Sequence, residues 1–155
     1  MTKKEILKII LKKIKKREYS EYEIKKIISK YTSDPNLINE IILLLKEKNL
    51  INNERFVRAF IYDKIFLNKW GKEKILFSLK LHKIPEDIIN KAFNETISYE
   101  EYLKFFQKIA EKKLQSLKKE NNQIKKFKII KYLVSKGVSY EDSEKIINNI
   151  FYKTT

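Results

Sequence analysis

The sequence contains few of the residues that break helices or form tight turns. Its 155 residues include no cysteine, two glycines and two prolines. The absence of cysteine excludes disulfides and thiolate metal sites, and the shortage of glycine and proline leaves little material for β-hairpin turns. We therefore predict an all-α chain whose helices are joined by short connectors.

The sequence also contains little that points to catalysis or to a membrane. His82 is the only histidine, which excludes a metal site of paired histidines, and no nucleophile motif accompanies it. We predict no catalytic residue, no metal and no cofactor, and we interpret His82 as a structural or surface residue. Lys8 and Lys12 interrupt the apolar residues near the N-terminus. This segment therefore predicts neither a signal peptide nor a membrane-spanning helix. Basic residues around an apolar stripe also occur in membrane-surface helices, but this helix recurs as a core element in the other repeats, so we predict no membrane partner.

One apolar pattern occurs three times along the chain. Its second copy lies 51 residues after the first, and its third copy lies 54 residues after the second. Self-similarity at such a period indicates one supersecondary unit repeated along the chain, each copy burying its apolar face against its neighbours. The three copies are Ile24, Ile28, Ile41 and Ile42, then Ile75, Leu79, Ala92 and Phe93, then Ile129, Leu133, Ile146 and Ile147.

Each repeat is predicted to contain three helices, because its apolar residues recur with helical spacing throughout. We place the repeats at residues 1–51, 52–97 and 98–155. We expect these three tandem three-helix repeats to form an elongated, curved array of helices packed at right angles. The predicted helices span residues 3–17, 20–31 and 35–49, then 53–69, 71–82 and 85–96, then 99–118, 124–136 and 139–151.

Capping motifs mark several of these helix ends. Ser20 precedes Glu23 by three residues, which is the spacing of a capping box, where each side chain bonds the backbone amide of the other residue. Pro35 suits the first turn of a helix, where the missing N–H costs nothing. Gly137 suits the left-handed position that ends a helix.

Most aromatic residues are predicted to lie in the core. Seven phenylalanines have helical core spacing, and we favour this interpretation over base stacking, which requires aromatic rings exposed in a basic groove. Trp70 has Lys69, Lys72 and Lys74 as neighbours. Two interpretations of Trp70 stay open, a hydrophobic staple before a helix and an exposed contact. The phenylalanines are Phe56, Phe60, Phe77, Phe93, Phe105, Phe106 and Phe127.

The formal net charge is +15, with 35 basic and 20 acidic residues. Residues 1–33 contain 11 basic and 4 acidic groups, for +7, and residues 119–138 contain 6 and 1, for +5. Residues 34–98 contain 11 and 9, for only +2. Two strongly basic segments indicate a polyanionic partner.

Three strings of the sequence resemble the RecX family of regulatory proteins. They are REYSEYEI at residues 17–24, LINNERFVRAF at residues 50–60, and WGKEKI at residues 70–75. Their order and spacing are similar to those of the family over residues 15–95, and the third repeat continues the likeness more loosely. The sequence departs from the family pattern at Asn52 and Asn53, where an acidic pair is usual.

The resemblance implies a cytoplasmic bacterial protein that binds the RecA recombinase filament on DNA. Such a protein modulates, and mostly inhibits, the ATPase, strand-exchange and coprotease activities of RecA, and so regulates DNA repair, recombination and the SOS response. It implies a monomer without catalytic residues. The basic segments suit weak, salt-dependent contacts with single- and double-stranded DNA. The alternative is a general basic DNA-binding helical module without a recombinase partner.

The partner-binding residues are predicted from the two basic segments and from the strings that carry the resemblance. Lysines facing the filament or its DNA would add a salt-sensitive term to binding. The residues from the strings fit a solvated helix face equally well. The basic segments contribute Lys15, Lys16, Arg17, Lys25, Lys26, Lys125, Lys126, Lys128 and Lys131. The strings contribute Arg55, Arg58, Lys72 and Lys74, together with Lys69 directly before the third string.

Overall fold

The computed structural model describes residues 1–152. Within this range the chain forms nine α-helices and no strand, which confirms the all-α prediction. None of these helices is long and apolar enough to cross a membrane. They are α1 (Lys3–Ile14), α2 (Glu21–Ser29), α3 (Pro35–Glu47), α4 (Asn53–Phe66), α5 (Lys72–Leu81), α6 (Glu86–Thr96), α7 (Tyr99–Gln115), α8 (Asn122–Ser135) and α9 (Tyr140–Phe151).

Side-chain caps explain where several helices begin. Ser20 Oγ accepts a 3.1 Å hydrogen bond from the Glu23 amide, and the Ser20 amide donates to the Glu23 carboxylate at 3.0 Å, which confirms the predicted capping box. Thr2 and Ser98 form the same box at α1 and α7. These bonds satisfy amides that have no partner within the helix.

Several predicted helix ends differ from the structure. The helices α1, α4 and α7 each end three residues earlier than predicted, at Ile14, Phe66 and Gln115. Helix α8 begins at Asn122, earlier than predicted, because the Asn121 side chain accepts a 2.9 Å hydrogen bond from the Ile124 amide. An asparagine cap therefore converts part of a polar segment into the first turn of a helix.

The repeated apolar pattern forms core in all three copies. Each of its twelve residues is at most 5% exposed. Helices α1, α2 and α3 contact one another, as do α7, α8 and α9, so each trio buries its part of the pattern internally. Full burial of one isoleucine or leucine side chain contributes about 1.5–3 kcal/mol.

The described residues form two compact units. The first contains Met1–Phe60 and Leu79–Ala92, and the second contains Ile61–Ser78 and the described residues from Phe93 onwards. Helices α4, α5 and α6 each contribute residues to both units. The division into repeats at 1–51, 52–97 and 98–155 stays a prediction.

Candidate nucleic-acid interface

A basic surface lies along α2 in the first unit. Two open grooves, of about 500 and 630 Å³, share Tyr22, Lys26 and His82 in their walls. The Lys26 ammonium lies over the Tyr22 ring, 4.6 Å from its centre. Basic side chains from α1, from α2 and from the segment after α5 therefore surround an aromatic centre. This α2 surface consists of Lys13, Tyr22, Lys25, Lys26, His82 and Lys83.

The acidic residues near the α2 surface have partners of their own. Glu21 lies 3.7 Å from the Lys46 ammonium and 4.0 Å from that of Lys25, and Glu23 accepts a 2.6 Å hydrogen bond from Arg17. Burial acts to raise the pKa of Glu23, but the hydrogen bonds from Arg17 and the Ser20 amide hold it below its ordinary value of 4.5. Glu23 is therefore ionised at neutral pH and its charge is offset, so the surface keeps an excess of positive charge.

His82 lines both grooves and has a structural role. Its Nδ1 lies 2.8 Å from Ser20 Oγ, and its ring contacts Tyr22 and Phe56 with centroid distances of 6.0 and 5.1 Å. Burial lowers the pKa of His82 below its ordinary value of 6.5. Burial therefore favours the neutral ring, and its Nδ1 shares a hydrogen bond with the Ser20 hydroxyl.

The predicted residues of the N-terminal basic segment occupy two places. Lys25 and Lys26 are exposed on α2 and line the grooves, and Arg17 lines the larger groove. The Arg17 guanidinium already has an acidic partner. Lys15 and Lys16 are exposed in the turn after α1. The fold thus brings Arg17 together with the α2 lysines.

The predicted residues of the second basic segment all lie on α8. Lys128 and Lys131 are exposed and three residues apart, so they share one face of the helix. Lys125 and Lys126 are half-buried, and the Lys126 ammonium donates to the Tyr152 hydroxyl. The structure therefore divides these four lysines between different sides of one helix.

Arg55 has partners within the first unit, whereas Arg58 is exposed. Arg55 Nε donates to Glu18 at 2.8 Å, and Arg55 Nη2 donates to the Asn49 carbonyl at 3.1 Å. These bonds hold the turn before α4 against the segment before α2. Arg55 therefore stabilises the fold, and Arg58 presents its charge to solvent on the same helix.

The lysines near Trp70 lie in the second unit. Lys64 and Lys74 each place an ammonium 4.6 Å from the centre of the indole ring, which is half-buried. Lys72 is half-buried and its ammonium lies over a buried phenylalanine ring, whereas Lys69 is exposed. Trp70 therefore combines the two interpretations left open by the sequence, since its ring is partly packed and partly covered by cations.

The structure contradicts the core prediction for two phenylalanines. Phe77 and Phe127 are 69% and 68% exposed. The reason is that α5 and α8 have apolar residues on several faces. Only the face with Ile75 and Leu79 in α5, and the face with Ile129 and Leu133 in α8, packs against the core. Helical spacing alone does not identify the buried face in such a helix. The other five are buried or half-buried: Phe56, Phe60, Phe93, Phe105 and Phe106.

Two lysines of the α2 surface are absent from the predicted set. Lys13 lies in the last turn of α1, where its position among many other lysines gave no reason to select it. Lys83 follows α5 with a positive φ of 58°, and no sequence pattern indicates that it faces α2. Packing within the unit, rather than spacing along the chain, brings these residues to the grooves.

Comparisons with known proteins show which family this chain is similar to. Residues 52–92 match the family model described as RecX, second three-helix domain. The chain is 31% identical over 143 residues to the regulatory protein RecX of Clostridium perfringens, covering 90% of this chain and 66% of that protein. It is 34% identical over 145 residues to the regulatory protein RecX of Clostridium tetani, covering 92% and 65%. The chain thus spans just under two thirds of the length of these relatives.

Solved structures show the same fold. The crystal structure of RecX from Lactobacillus salivarius superposes with a TM-score of 0.86 at 20% identity, covering 96% of each chain. A crystal structure of a regulatory protein RecX gives a TM-score of 0.78 at 19% identity, covering 93% of this chain and 70% of that one. At these identities the likeness establishes the arrangement of the helices.

Proposed function

This chain belongs to the RecX family of regulatory proteins, and we propose that it regulates the RecA recombinase by binding the filament that RecA forms on DNA. In this proposal it mostly inhibits the ATPase, strand-exchange and coprotease activities of the filament, and so regulates DNA repair and recombination. It acts as a cytoplasmic monomer, through binding alone. The family relationship supports RecA as the partner.

The α2 surface is the observation that carries the nucleic-acid part of this proposal. Four lysines surround two open grooves, while the nearby Glu23 pairs with Arg17 and Glu21 is shared between Lys46 and Lys25. A polyanion that enters the grooves gains attraction from several cations and releases its own counterions. The Tyr22 ring adds a flat apolar contact at the centre of the surface.

We propose that exposed and half-exposed basic residues from all the predicted sets contact the filament or its DNA. Arg17 and Arg55 have acidic partners in the fold, so we expect them to act mainly by holding the segments around α2 in place. The proposed contact residues are Lys15, Lys16, Lys25, Lys26, Arg58, Lys69, Lys72, Lys74, Lys125, Lys126, Lys128 and Lys131.

The direct test is the ATPase activity of RecA on single-stranded DNA, titrated with this protein. Inhibition at amounts well below one molecule per RecA subunit would indicate action at filament ends, and inhibition that needs near-equal amounts would indicate coating. Unchanged ATPase and strand exchange at saturating amounts would refute the proposed function.

Charge reversal tests the assignment of the basic residues. We expect Lys25→Glu with Lys26→Glu, and separately Lys128→Glu with Lys131→Glu, to weaken inhibition of the ATPase by about tenfold or more, because each pair exchanges attraction for repulsion. The matched control is the pair Lys104→Glu and Lys108→Glu on α7, which changes the net charge equally at exposed positions. Parent-like inhibition by both test pairs would contradict the assignment.

The second candidate function is a DNA-binding module that needs no recombinase. The exposed Phe127 beside basic residues on α8 favours it. Gel shifts on random single- and double-stranded DNA, with and without RecA, separate the two functions. Equally tight binding to bare DNA at physiological salt would support this candidate, and binding that requires the filament would support regulation of RecA.

A further inference from the structure

Helix α8 exposes an apolar and basic face to solvent. Phe127 is 68% exposed, Val134 46% and Ile124 39%, and Lys128 and Lys131 are also exposed. Single exposed apolar side chains are ordinary, whereas a contiguous exposed apolar patch indicates an interaction site. We name the five residues Ile124, Phe127, Lys128, Lys131 and Val134 the α8 patch.

The residues of the α8 patch are neighbours on the helix. Phe127 lies four residues before Lys131 and three after Ile124, and Lys128 lies three before Lys131. Side chains at these spacings have Cβ atoms about 5–6 Å apart. The Phe127 side chain is therefore a neighbour of Lys131 on the helix surface. The aliphatic side chains of Ile124 and Val134 lie before and after it along the helix.

The charge of α8 indicates which partner suits this patch. Residues 122–135 contain four lysines and no acidic residue. Glu120, in the preceding turn, lies 3.2 Å from the Lys128 ammonium, and this exposed pair is a weak competitor for a polyanion. A single-stranded nucleic acid supplies both groups that the patch can bind, phosphates for the lysines and an unstacked base for the ring.

We propose that the α8 patch binds single-stranded nucleic acid by stacking a base on Phe127 while Lys128 and Lys131 contact adjacent phosphates. This inference rests on the proposed function in one respect, because it assumes that the target of the protein includes DNA. It assigns to Phe127 a role that the lysines cannot fill, because cations attract phosphates in any strand whereas a ring recognises the face of an unpaired base. The exposed Ile124 and Val134 border the stacked base and exclude water from its edges.

Duplex DNA does not fit this mode of binding. The base faces in a duplex are covered by their neighbours, so the Phe127 ring would reach them only after unstacking, which costs a few kcal/mol per step. A protein partner would instead bury the apolar area of the patch without requiring an aromatic ring. The two kinds of partner therefore respond differently to a change from phenylalanine to leucine.

The test measures the affinity of the full chain for a fluorescent oligothymidylate by anisotropy, together with an abasic oligonucleotide of equal length. We expect Phe127→Leu to weaken binding to oligothymidylate by about tenfold, the usual loss for one stacked base. Phe127→Tyr keeps the ring and should bind within about threefold of the parent. Both variants should bind the abasic oligonucleotide as the parent does, because it offers no base to stack.

Other results would overturn the proposal. Parent-like binding of oligothymidylate by Phe127→Leu would exclude stacking, and equal losses on both oligonucleotides would point to a change in the phosphate contacts instead. Weaker inhibition of RecA by Phe127→Ala, with unchanged oligonucleotide affinity, would assign the patch to a protein contact. Because the oligonucleotide assays contain no RecA, they test base stacking independently of the proposed regulation of RecA.

Discussion

At the scale of single residues, Ser20 connects the start of α2 to His82, which lines both grooves of the α2 surface. Its side chain is fully buried, accepts from the Glu23 amide and lies 2.8 Å from His82 Nδ1. One side-chain oxygen thus bonds both the first turn of α2 and the ring of His82. Ser98 forms the same capping box at α7, where it is exposed, and the two hydrogen bonds of this box join it to Glu101.

The two serines permit a matched comparison of stability. We expect Ser98→Ala to lower the free energy of unfolding by about 1 kcal/mol, the usual cost of losing a cap. Ser20→Ala should cost about 2–3 kcal/mol, because it also removes the hydrogen-bond partner of the half-buried His82 ring. Urea denaturation followed by circular dichroism measures both. Equal losses for the two variants would show that the bond to His82 contributes nothing to stability.

At the scale of helices, the end of α8 meets the start of α5 in the second unit. Gly137 has a φ of +99°, and the amides of Gly137 and Val138 bond the carbonyls of Val134 and Leu133, a pattern that confirms the predicted glycine end of α8. The Gly71 amide then donates to the carbonyl of the residue before Gly137, at 2.7 Å. Backbone-to-backbone contact between the helix ends therefore needs glycine on both sides.

Substitution of Gly71 tests this contact. A Cβ at position 71 would lie 2.4–2.5 Å from backbone atoms of Gly137 and Val138, and backbone cannot move aside as a flexible side chain can. We expect Gly71→Ala to lower the free energy of unfolding by about 2–3 kcal/mol. Denaturant unfolding monitored by Trp70 fluorescence measures the change.

Lys69→Gly is the control for this substitution. Lys69 has a φ of 58°, where glycine is less strained than lysine. We therefore expect the free energy of unfolding of this variant to lie within about 1 kcal/mol of the parent value. A Gly71→Ala variant that is as stable as the control would show that the helix ends separate at little cost.

At the scale of the whole molecule, the net charge is +15, but the salt dependence of any binding to a nucleic acid is set by the lysines that contact its phosphates. Each phosphate neutralised on a single strand contributes about 0.7 to the slope of log affinity against log salt concentration. Lysines that already bond acidic residues release fewer ions from DNA than exposed lysines do. The slope therefore reports how many lysines contact phosphates, whereas the total charge of the protein does not report this number.

We expect the Lys128→Glu and Lys131→Glu pair to reduce this slope by about 1.4 on oligothymidylate. The control pair Lys104→Glu and Lys108→Glu should leave the slope nearly unchanged, since those lysines lie outside the proposed contacts. Anisotropy titrations at several salt concentrations measure both slopes. Equal reductions for the two pairs would mean that binding responds to overall charge rather than to the α8 patch.

The fold could be read largely from the sequence. The shortage of glycine and proline, the apolar spacing and the capping motif at Ser20 placed every helix to within a few residues. These signals are local, because helix formation depends on residues three and four positions apart. The family resemblance was equally readable, since it lies in short strings such as WGKEKI.

The candidate surfaces depended on tertiary packing. The sequence shows where the lysines are along the chain. Only packing within each unit brings Lys83 to α2, pairs Arg55 with Glu18 and leaves Phe127 exposed. A helix with apolar residues on several faces buries the face that its neighbours cover, and the neighbours are distant in sequence. Composition and spacing thus determined that this protein is helical and basic, whereas the packing of helices decided which of its charges and rings meet solvent.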